Sequence, residues 1–505
     1  MQLHDTICAL STAPGMGAIA LIRVSGAQCF ELLEKCFTPI SKKQVLQNAP
    51  AYTNLYGKFH RAGKSIDEVM LSVYRNPKSY TGEDVAEIAC HGSVYIQQEI
   101  LKHLQQLGCR MAEPGEFTLR AFFNGKMDLT QAEGVADLIA SENKASHQLA
   151  MQQMRGGFGD EIRDLRQELI NFASLIELEL DFGEEDVEFA DRAALSALLE
   201  KIKTVIQRLI GSFETGNVLK NGVPVAIVGA PNVGKSTLLN SLLNEDRAIV
   251  TDIAGTTRDA IEDELNLEGV KYRFIDTAGI RETEDLVESI GIKKTFEKIE
   301  EAKVVLYLFD ASKLLTDHSS KLEDEHVIQS GSNEVRDVSK DERNKNENVS
   351  LSVSKTAPTL LQIKSEINTL KAKTEGKTLL LVANKTDLLP SPNALNEVLD
   401  EPFIALSAKE KQGLETLTDK LKSVVNRAAL NGNEAIVSNS RHIVALEQAL
   451  EDLIRVETGM ANQISGDFLA MDIREAFKHL GSIIGEVDND QDILGNIFGK
   501  FCIGK

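Results

Sequence analysis

The spacing of apolar and polar positions changes character three times along this chain, and each change marks a domain. Up to about residue 125, apolar runs of strand length such as 18–24 and 85–90 are punctuated by Gly and Pro, which predicts a small α/β domain. At Thr130, where Thr130 and Glu133 make a capping-box pattern, an Ala- and Leu-rich stretch with helical spacing begins and reaches about residue 212. Ile443, Leu446, Leu450 and Leu453 restore that spacing near the other end, so a second helical block starts near Ser440. Between the blocks, apolar strand-like runs alternate with helical segments, the pattern of a doubly wound parallel sheet.

The expected architecture is multidomain, α/β plus all-α. Residues 1–125 form the small α/β domain, 126–217 the first part of a helical domain, 218–430 a doubly wound domain inserted into it, and 431–505 its second part. The simplest arrangement packs the two helical blocks together. Within the inserted domain, 316–357 is dense in Ser, Asn, Lys, Asp and Glu with few large apolar residues, a composition that cannot offset its ordering entropy, so a disordered surface insertion is expected there. A partner-binding loop is the functional alternative.

Composition narrows the class. With 505 residues the chain exceeds one hydrophobic core, and 42% hydrophobic against 26% charged residues is ordinary for a water-soluble protein. No apolar run approaches the roughly 20 residues needed to span a bilayer, and the first residues lack a basic start and a cleavage site, so a cytoplasmic protein is expected. Cys8, Cys29, Cys36, Cys90, Cys109 and Cys502 include no CxxC pair, which argues for reduced thiols. A net charge of −21 argues against coating nucleic acid by electrostatics alone, and any RNA contact needs a restricted basic surface or a partner.

The inserted domain carries the chemistry. A strand-like run, 223–228, leads at once into Gly229-Ala-Pro-Asn-Val-Gly234-Lys235-Ser236 and then a helix, the setting a phosphate-binding loop requires. Asn232, Val233 and Gly234 would wrap backbone N–H groups around phosphates, Lys235 would neutralise them, and Ser236, followed by Thr237, would ligate Mg2+. Asn384-Lys385-Thr386-Asp387 follows the run 379–383. A carboxylate at Asp387 can accept both N–H groups of the guanine edge, whereas adenine offers an acceptor there and would leave the charge unpaired, so GTP is favoured. Asn384 would brace the loops, Lys385 would lie over the ring, and Ser407, Ala408 and Lys409 would back it. Gly255-Thr256-Thr257 precedes a predicted hairpin with a turn at Gly269, which ends in Asp276-Thr277-Ala278-Gly279. Thr257 is the candidate second Mg2+ ligand, Asp276 stands behind the metal, and Gly279 offers an amide to the γ-phosphate.

Ile280 stands where many GTPases place the Gln that orients water, and an aliphatic side chain cannot do that. The task passes to one of Glu282, Glu284, Asp285 or Glu288, the others being a solvated acidic loop. No local arginine finger is evident, so another cation is needed, and Asn232 could supply an oxygen to a monovalent ion.

The whole chain then resembles the MnmE (TrmE) family of tRNA modification GTPases. The likeness rests on the Arg23 strand, Thr81-Gly82-Glu83-Asp84-Val85 with Glu87 and His91-Gly92, Pro114-Gly115-Glu116-Phe117, Asn124-Gly125-Lys126 with Asp128-Leu129, the GTPase motifs, and the terminal Cys502-Ile503-Gly504-Lys505. The resemblance implies a folate-binding and dimerising N-terminal domain, a discontinuous helical domain, and a Ras-like GTPase domain inserted into it. It further implies a homodimer that works on tRNA with an FAD-dependent partner, MnmG (GidA), adding a carboxymethylaminomethyl-type group to C5 of wobble uridine. The carbon would come from 5,10-methylenetetrahydrofolate. Arg23, Glu87, Lys126 and Lys505 are implied folate contacts, and Glu288 and Cys502 implied catalytic groups. Asn232, Thr251, Ile253 and Thr256 are implied K+ ligands, and Thr251, Asp252, Ile253 and Ala254 join Gly255, Thr256 and Thr257 against the nucleotide. On the residues alone Arg23, Glu87 and Lys126 would pass as surface ions. A regulatory RNA- or ribosome-associated switch GTPase that makes no chemical change is the competing expectation.

Overall fold

The computed structural model describes residues 5–41, 45–181, 192–245, 263–275, 299–314, 360–389, 395, 399–425, 435–486, 497–499, 501 and 504. They divide into two compact units, one of 1–142, 146–220 and 432–505, the other of 143–145 and 221–431.

The first unit begins with β1 (Ile7–Leu10), β2 (Ile19–Ser25), α1 (Cys29–Glu34), β3 (Phe37–Pro39), β4 (Thr53–Arg61), β5 (Lys64–Tyr74), β6 (Val85–His91), α2 (Val94–Leu107) and β7 (Arg110–Met111). The strands form one sheet in the order β3-β4-β5-β6-β2-β1-β7. Alternation decides the faces. Ala20, Ile22 and Val24 of β2, with Ile88 of β6 and Leu71 of β5, point into a core shared with Phe30 and Leu33 of α1 and Ile100 and Leu104 of α2. The intervening positions face the other way, so the register that sets Arg23 opposite Glu87 puts both on the face opposite α1 and α2. The five cysteines Cys8, Cys29, Cys36, Cys90 and Cys109 are buried free thiols.

Four helices follow α3 (Glu116–Phe123): α4 (Leu129–Ala140), α5 (Lys144–Met154), α6 (Gly157–Asp181) and α7 (Arg192–Asn221). The cap of α4 is Asp128, not Thr130. The Asp128 side chain accepts from Gln131 N at 2.9 Å and Gln131 Oε1 accepts from Asp128 N at 3.0 Å, which closes the box two residues earlier than the Thr130–Glu133 pattern predicts. Aspartate, already extended at φ −84°, wins the position, while Thr130 donates to its carboxylate and Glu133 turns into the interior. Helices Ser440–Ala461 and Gly466–Ile484 complete this unit. Ile162 and Leu169 of α6, Leu199 and Ile206 of α7, Leu446 and Leu453, and Ile473 and Leu480 share one core, so the two helical blocks pack together across the chain's interruption.

The second unit holds a six-stranded sheet of β8 (Val223–Val228), β9 (Asp263–Leu267), β10 (Val270–Phe274), β11 (Val304–Asp310), β12 (Thr378–Asn384) and β13 (Phe403–Ala405), in the order β13-β12-β11-β8-β10-β9. Only β9 runs antiparallel, paired with β10 around Gly269. All seven residues of β11 are buried, as a central parallel strand requires. Strand order reverses beside β8, and the parallel strands β8 and β12 both end at loops on the carboxyl side of the sheet, where ligands of such sheets bind. The 316–357 segment lies outside the described residues.

Candidate functional site

β8 ends at Val228, and helix α8 (Lys235–Glu245) begins seven residues later. Two glycines make the intervening loop possible. Gly229 has φ +149°, and a Cβ there would lie 2.1 Å from Leu308 O; Gly234 has φ +99°, and its Cβ would lie 2.3 Å from Asn384 Nδ2. Any side chain at either place would collide as well as strain the backbone. Asn232 also takes positive φ, at 63°. Lys235 Nζ lies back across the loop, donating to Gly229 O at 2.7 Å and Ala230 O at 3.0 Å. An ammonium held by weak carbonyl acceptors is poised to exchange them for phosphate oxygens. Ser236 sits in the first turn of α8, half-buried, and Thr237 beside it is exposed.

The Asn384–Asp387 segment is tied to this loop. Asn384, 2% exposed, donates from Nδ2 to Val233 O at 2.8 Å and accepts at Oδ1 from Ala408 N at 3.0 Å, so one amide joins three loops. Lys385 has φ +64° and donates from Nζ to Asn232 O at 2.9 Å and to Asp310 Oδ2 at 2.7 Å. Burial pushes the Asp310 carboxyl up, but hydrogen bonds from Lys385 and Ser312 outweigh it and hold it below the usual range. Asp387 follows, exposed, in a short 3-10 turn, Thr386–Leu388. Ser407 exchanges backbone hydrogen bonds with Gln412, Ala408 O accepts from Ser241 Oγ at 2.7 Å, and the Lys409 side chain is exposed. The arrangement gathers Asn232 to Thr237, Asn384 to Asp387 and Ser407 to Lys409 at one edge of the sheet. Thr251, Asp252, Ile253, Ala254, Gly255, Thr256, Thr257, Asp276, Thr277, Ala278, Gly279 and Glu288 lie outside the described residues. Asp310 was missed from sequence; its only signal is an acid closing an otherwise apolar strand.

A second constellation occupies the face of the N-terminal sheet opposite α1 and α2. Arg23 donates from Nε at 3.0 Å and Nη2 at 2.7 Å to Glu87 Oε1. The pair is mostly buried, and the Arg23 guanidinium lies 5.3 Å from the Tyr80 ring centre and 5.6 Å from that of Phe117. Tyr74 Oη reaches Glu87 Oε2 at 3.4 Å. The chain's far end arrives here too: Gly504 O accepts from Ser11 Oγ at 3.0 Å and from Arg23 Nη1 at 3.5 Å, while Phe498 and Phe501 pack with Leu119 and Leu129. Lys126 Nζ, exposed, donates to Pro77 O at 3.0 Å. Cys502 and Lys505 lie outside the described residues.

Several motif residues prove to be framework. Arg120, 1% exposed, bonds Asp5, Glu83 and Glu116; Arg110 bonds Asp5 and Glu116; Glu83 Oε2 accepts from Ser25 Oγ at 2.6 Å. Burial pushes Asp5 and Glu116 up, and the two arginines outweigh it, keeping both carboxyls below their ordinary range. Asn124 Nδ2 donates to Thr81 O at 2.7 Å. This lattice of charges stands behind Arg23 and holds the strands and turns that present it.

The chain can now be set beside known proteins. Residues 6–126 match the family model described as the GTP-binding protein TrmE N-terminus, and residues 129–502 match that of the MnmE helical domain. A tRNA modification GTPase MnmE of Christiangramia forsetii is 55% identical over 515 residues, covering all of both chains. The proteins of the same description from Flavobacterium johnsoniae and Bacteroides fragilis are 53% and 48% identical, over 99% of this chain and 99% or more of theirs. Likeness of this degree from end to end means that the chain belongs to the MnmE (TrmE) family of tRNA modification GTPases.

Proposed function

We propose that this protein couples GTP hydrolysis to modification of wobble uridine in tRNA, working as a homodimer with the FAD-dependent partner MnmG and adding a carboxymethylaminomethyl-type group at C5. The observation that carries this beyond a bare GTPase is the meeting of the chain's two ends: the Gly504 carbonyl beside Arg23, on a domain the nucleotide site does not need. A switch GTPase has no use for that arrangement.

Arg23, Glu87, Lys126 and Lys505 would hold the folate. The chemistry fits, since a guanidinium paired with a carboxylate beside the Tyr80 and Phe117 rings suits a ligand with a flat, hydrogen-bonding heterocycle. A methylene-bearing tetrahydrofolate supplies an electrophilic carbon when bound. Cys502 would serve as nucleophile or proton-transfer group. In the GTPase domain, Lys235 binds phosphate, Asn384 and Asp387 read the base, and Ser236 and Thr257 would hold Mg2+. Asn232, Thr251, Ile253 and Thr256 would hold K+, which supplies positive charge where an arginine finger is absent. Glu288 orients the attacking water.

The test is the tRNA itself. Mass spectrometry of wobble uridines from cells lacking this protein should show the carboxymethylaminomethyl group missing, and titration of purified protein with a reduced folate should show binding. Intact modification in those cells would leave the switch reading in place.

A further inference from the structure

Asp310 belongs to none of the nucleotide motifs, yet its side chain is wired into them. Parallel pairing of β11 with β12 sets Asp310 beside Asn384, one residue before Lys385. Its side chain is 5% exposed, and both carboxylate oxygens are used: Oδ1 accepts from Ser312 N at 3.1 Å and Ser312 Oγ at 2.7 Å, and Oδ2 accepts from Lys385 Nζ at 2.7 Å. A buried carboxylate needs a cation, and only a fixed geometry makes the pair favourable. Lysine, conversely, is a flexible four-carbon stem that wanders unless its ammonium is held. Of its three donors, Asn232 O takes a second at 2.9 Å, so one remains for an oxygen of the nucleotide.

We propose that Asp310 is a positioning residue of the guanine-nucleotide site. It fixes the Lys385 ammonium so that the lysine stem spans the base while its head clamps Asn232 of the phosphate loop. Asp310 touches no nucleotide atom and acts through Lys385, with Ser312 holding its far oxygen. The clamp ties the base-reading segment to Asn232, the non-glycine residue of the phosphate loop that takes positive φ and carries the side chain assigned above to the monovalent ion. This role rests on reading Asn384–Asp387 as the guanine-recognising segment.

Release of a fluorescent N-methylanthraniloyl-GDP measures the effect. Asp310→Asn keeps the shape and the Ser312 contact but removes the charge, and should release the nucleotide about ten-fold faster, as for loss of one charge-assisted hydrogen bond. Lys385→Gln should be faster still, and the double variant no faster than Lys385→Gln alone, because the effect of Asp310 passes through the lysine. Multiplying effects in the double variant, or an unchanged rate in Asp310→Asn, overturns the proposal. A general loss of structure would lower the melting temperature of the nucleotide-free protein and survive in the Lys385→Gln background. Should Asp310→Asn fail to fold, Ser312→Ala gives the same comparison: faster release alone, and no further effect with Lys385→Gln. The underlying reading fails separately. If Asp387→Asn leaves the preference for guanine over xanthine unchanged, the base site is elsewhere; if preference shifts but the effects of Asp310 and Lys385 multiply, only the role of Asp310 falls.

Discussion

Replacing Gly504 by Ala tests whether the docked tail matters. Gly504 has φ +99°, where an L side chain is strained, and its new Cβ would lie 2.2 Å from Leu10 O and 2.9 Å from Ser11 Cα. These are backbone atoms at the end of the strand Ile7–Leu10 and of the residue that follows it, and they cannot turn aside as a side-chain tip could. The tail must therefore yield. Strain of about 1–3 kcal/mol, plus about 0.5–1.5 kcal/mol for the Ser11 hydrogen bond, gives roughly 2–4 kcal/mol against docking. At about 1.4 kcal/mol per factor of ten, the docked population falls by roughly 30- to 1000-fold relative to the undocked. Phe498 and Phe501 keep their apolar contacts, so the loss stays confined to the last residues. Two assays follow. Carboxypeptidase trimming, which tracks the open population when opening is fast, should accelerate by at least ten-fold. Affinity for a reduced folate should fall by a similar factor while GTP hydrolysis is unchanged. Trimming and folate affinity both within two-fold of the parent would refute the reasoning.

Glu133→Gln should destabilise the helical domain by about 3–5 kcal/mol, seen as a lower urea midpoint, because Arg441 and the buried His442 lose their carboxylate. Burial pushes the Glu133 carboxyl up, but His442 and Arg441 outweigh it and bring it down to about 2 from 4.5. A depressed carboxyl contributes fully above pH 4.5 and loses its contribution as pH falls toward 2, so the stability gap between parent and variant should shrink over that window; a gap constant with pH contradicts the pairing. Asp387→Asn should weaken GTP binding and partly restore binding of a xanthine nucleotide, and unchanged discrimination would remove Asp387 from base reading. Hydrolysis should run much faster in K+ than in Na+, and Glu288→Ala should lower turnover while sparing nucleotide affinity; equal rates in both salts, or a parallel loss of binding, would contradict these assignments. Cys502→Ser should abolish tRNA modification with GTP hydrolysis intact, and full modification would leave the tail as an anchor alone.

What the sequence made legible follows from distance along the chain. The phosphate loop, its strand Val223–Val228 and its helix are contiguous, and a run of apolar residues broken by Gly229 and Gly234 states them directly. Asn384 also announces itself, because its strand ends there. Arg23 and Glu87 do not: they stand 64 positions apart and meet only through the antiparallel register of β2 and β6, which no local pattern encodes. Glu133 misled for a related reason. Spacing alone makes it a cap partner of Thr130, whereas its partners Arg441 and His442 lie some 308 positions away, beyond the inserted domain. Asp310 was hidden because one acid at a strand end has no spacing to betray it. The residues alone point to GTPase chemistry, whereas the expectation of a folate rests on the family likeness and not on any local pattern.

The lattice around Arg120 gives the first few residues a weight their position does not suggest. Asp5 holds both Arg110 and Arg120, Ile7–Leu10 lies between β2 and β7, and Ser11 receives the tail. A ribosome that began at the internal Met16 would make a chain without any of these. Its sheet would be parted between β2 and β7, Arg110 and Arg120 would keep Glu116 but lose the Asp5 carboxylate they share, and Gly504 would have no hydroxyl to meet. Fidelity of start-site choice therefore bears directly on this protein: a shortened translation product would retain the whole sequence of the GTPase domain while lacking the strand and the hydroxyl against which the tail docks.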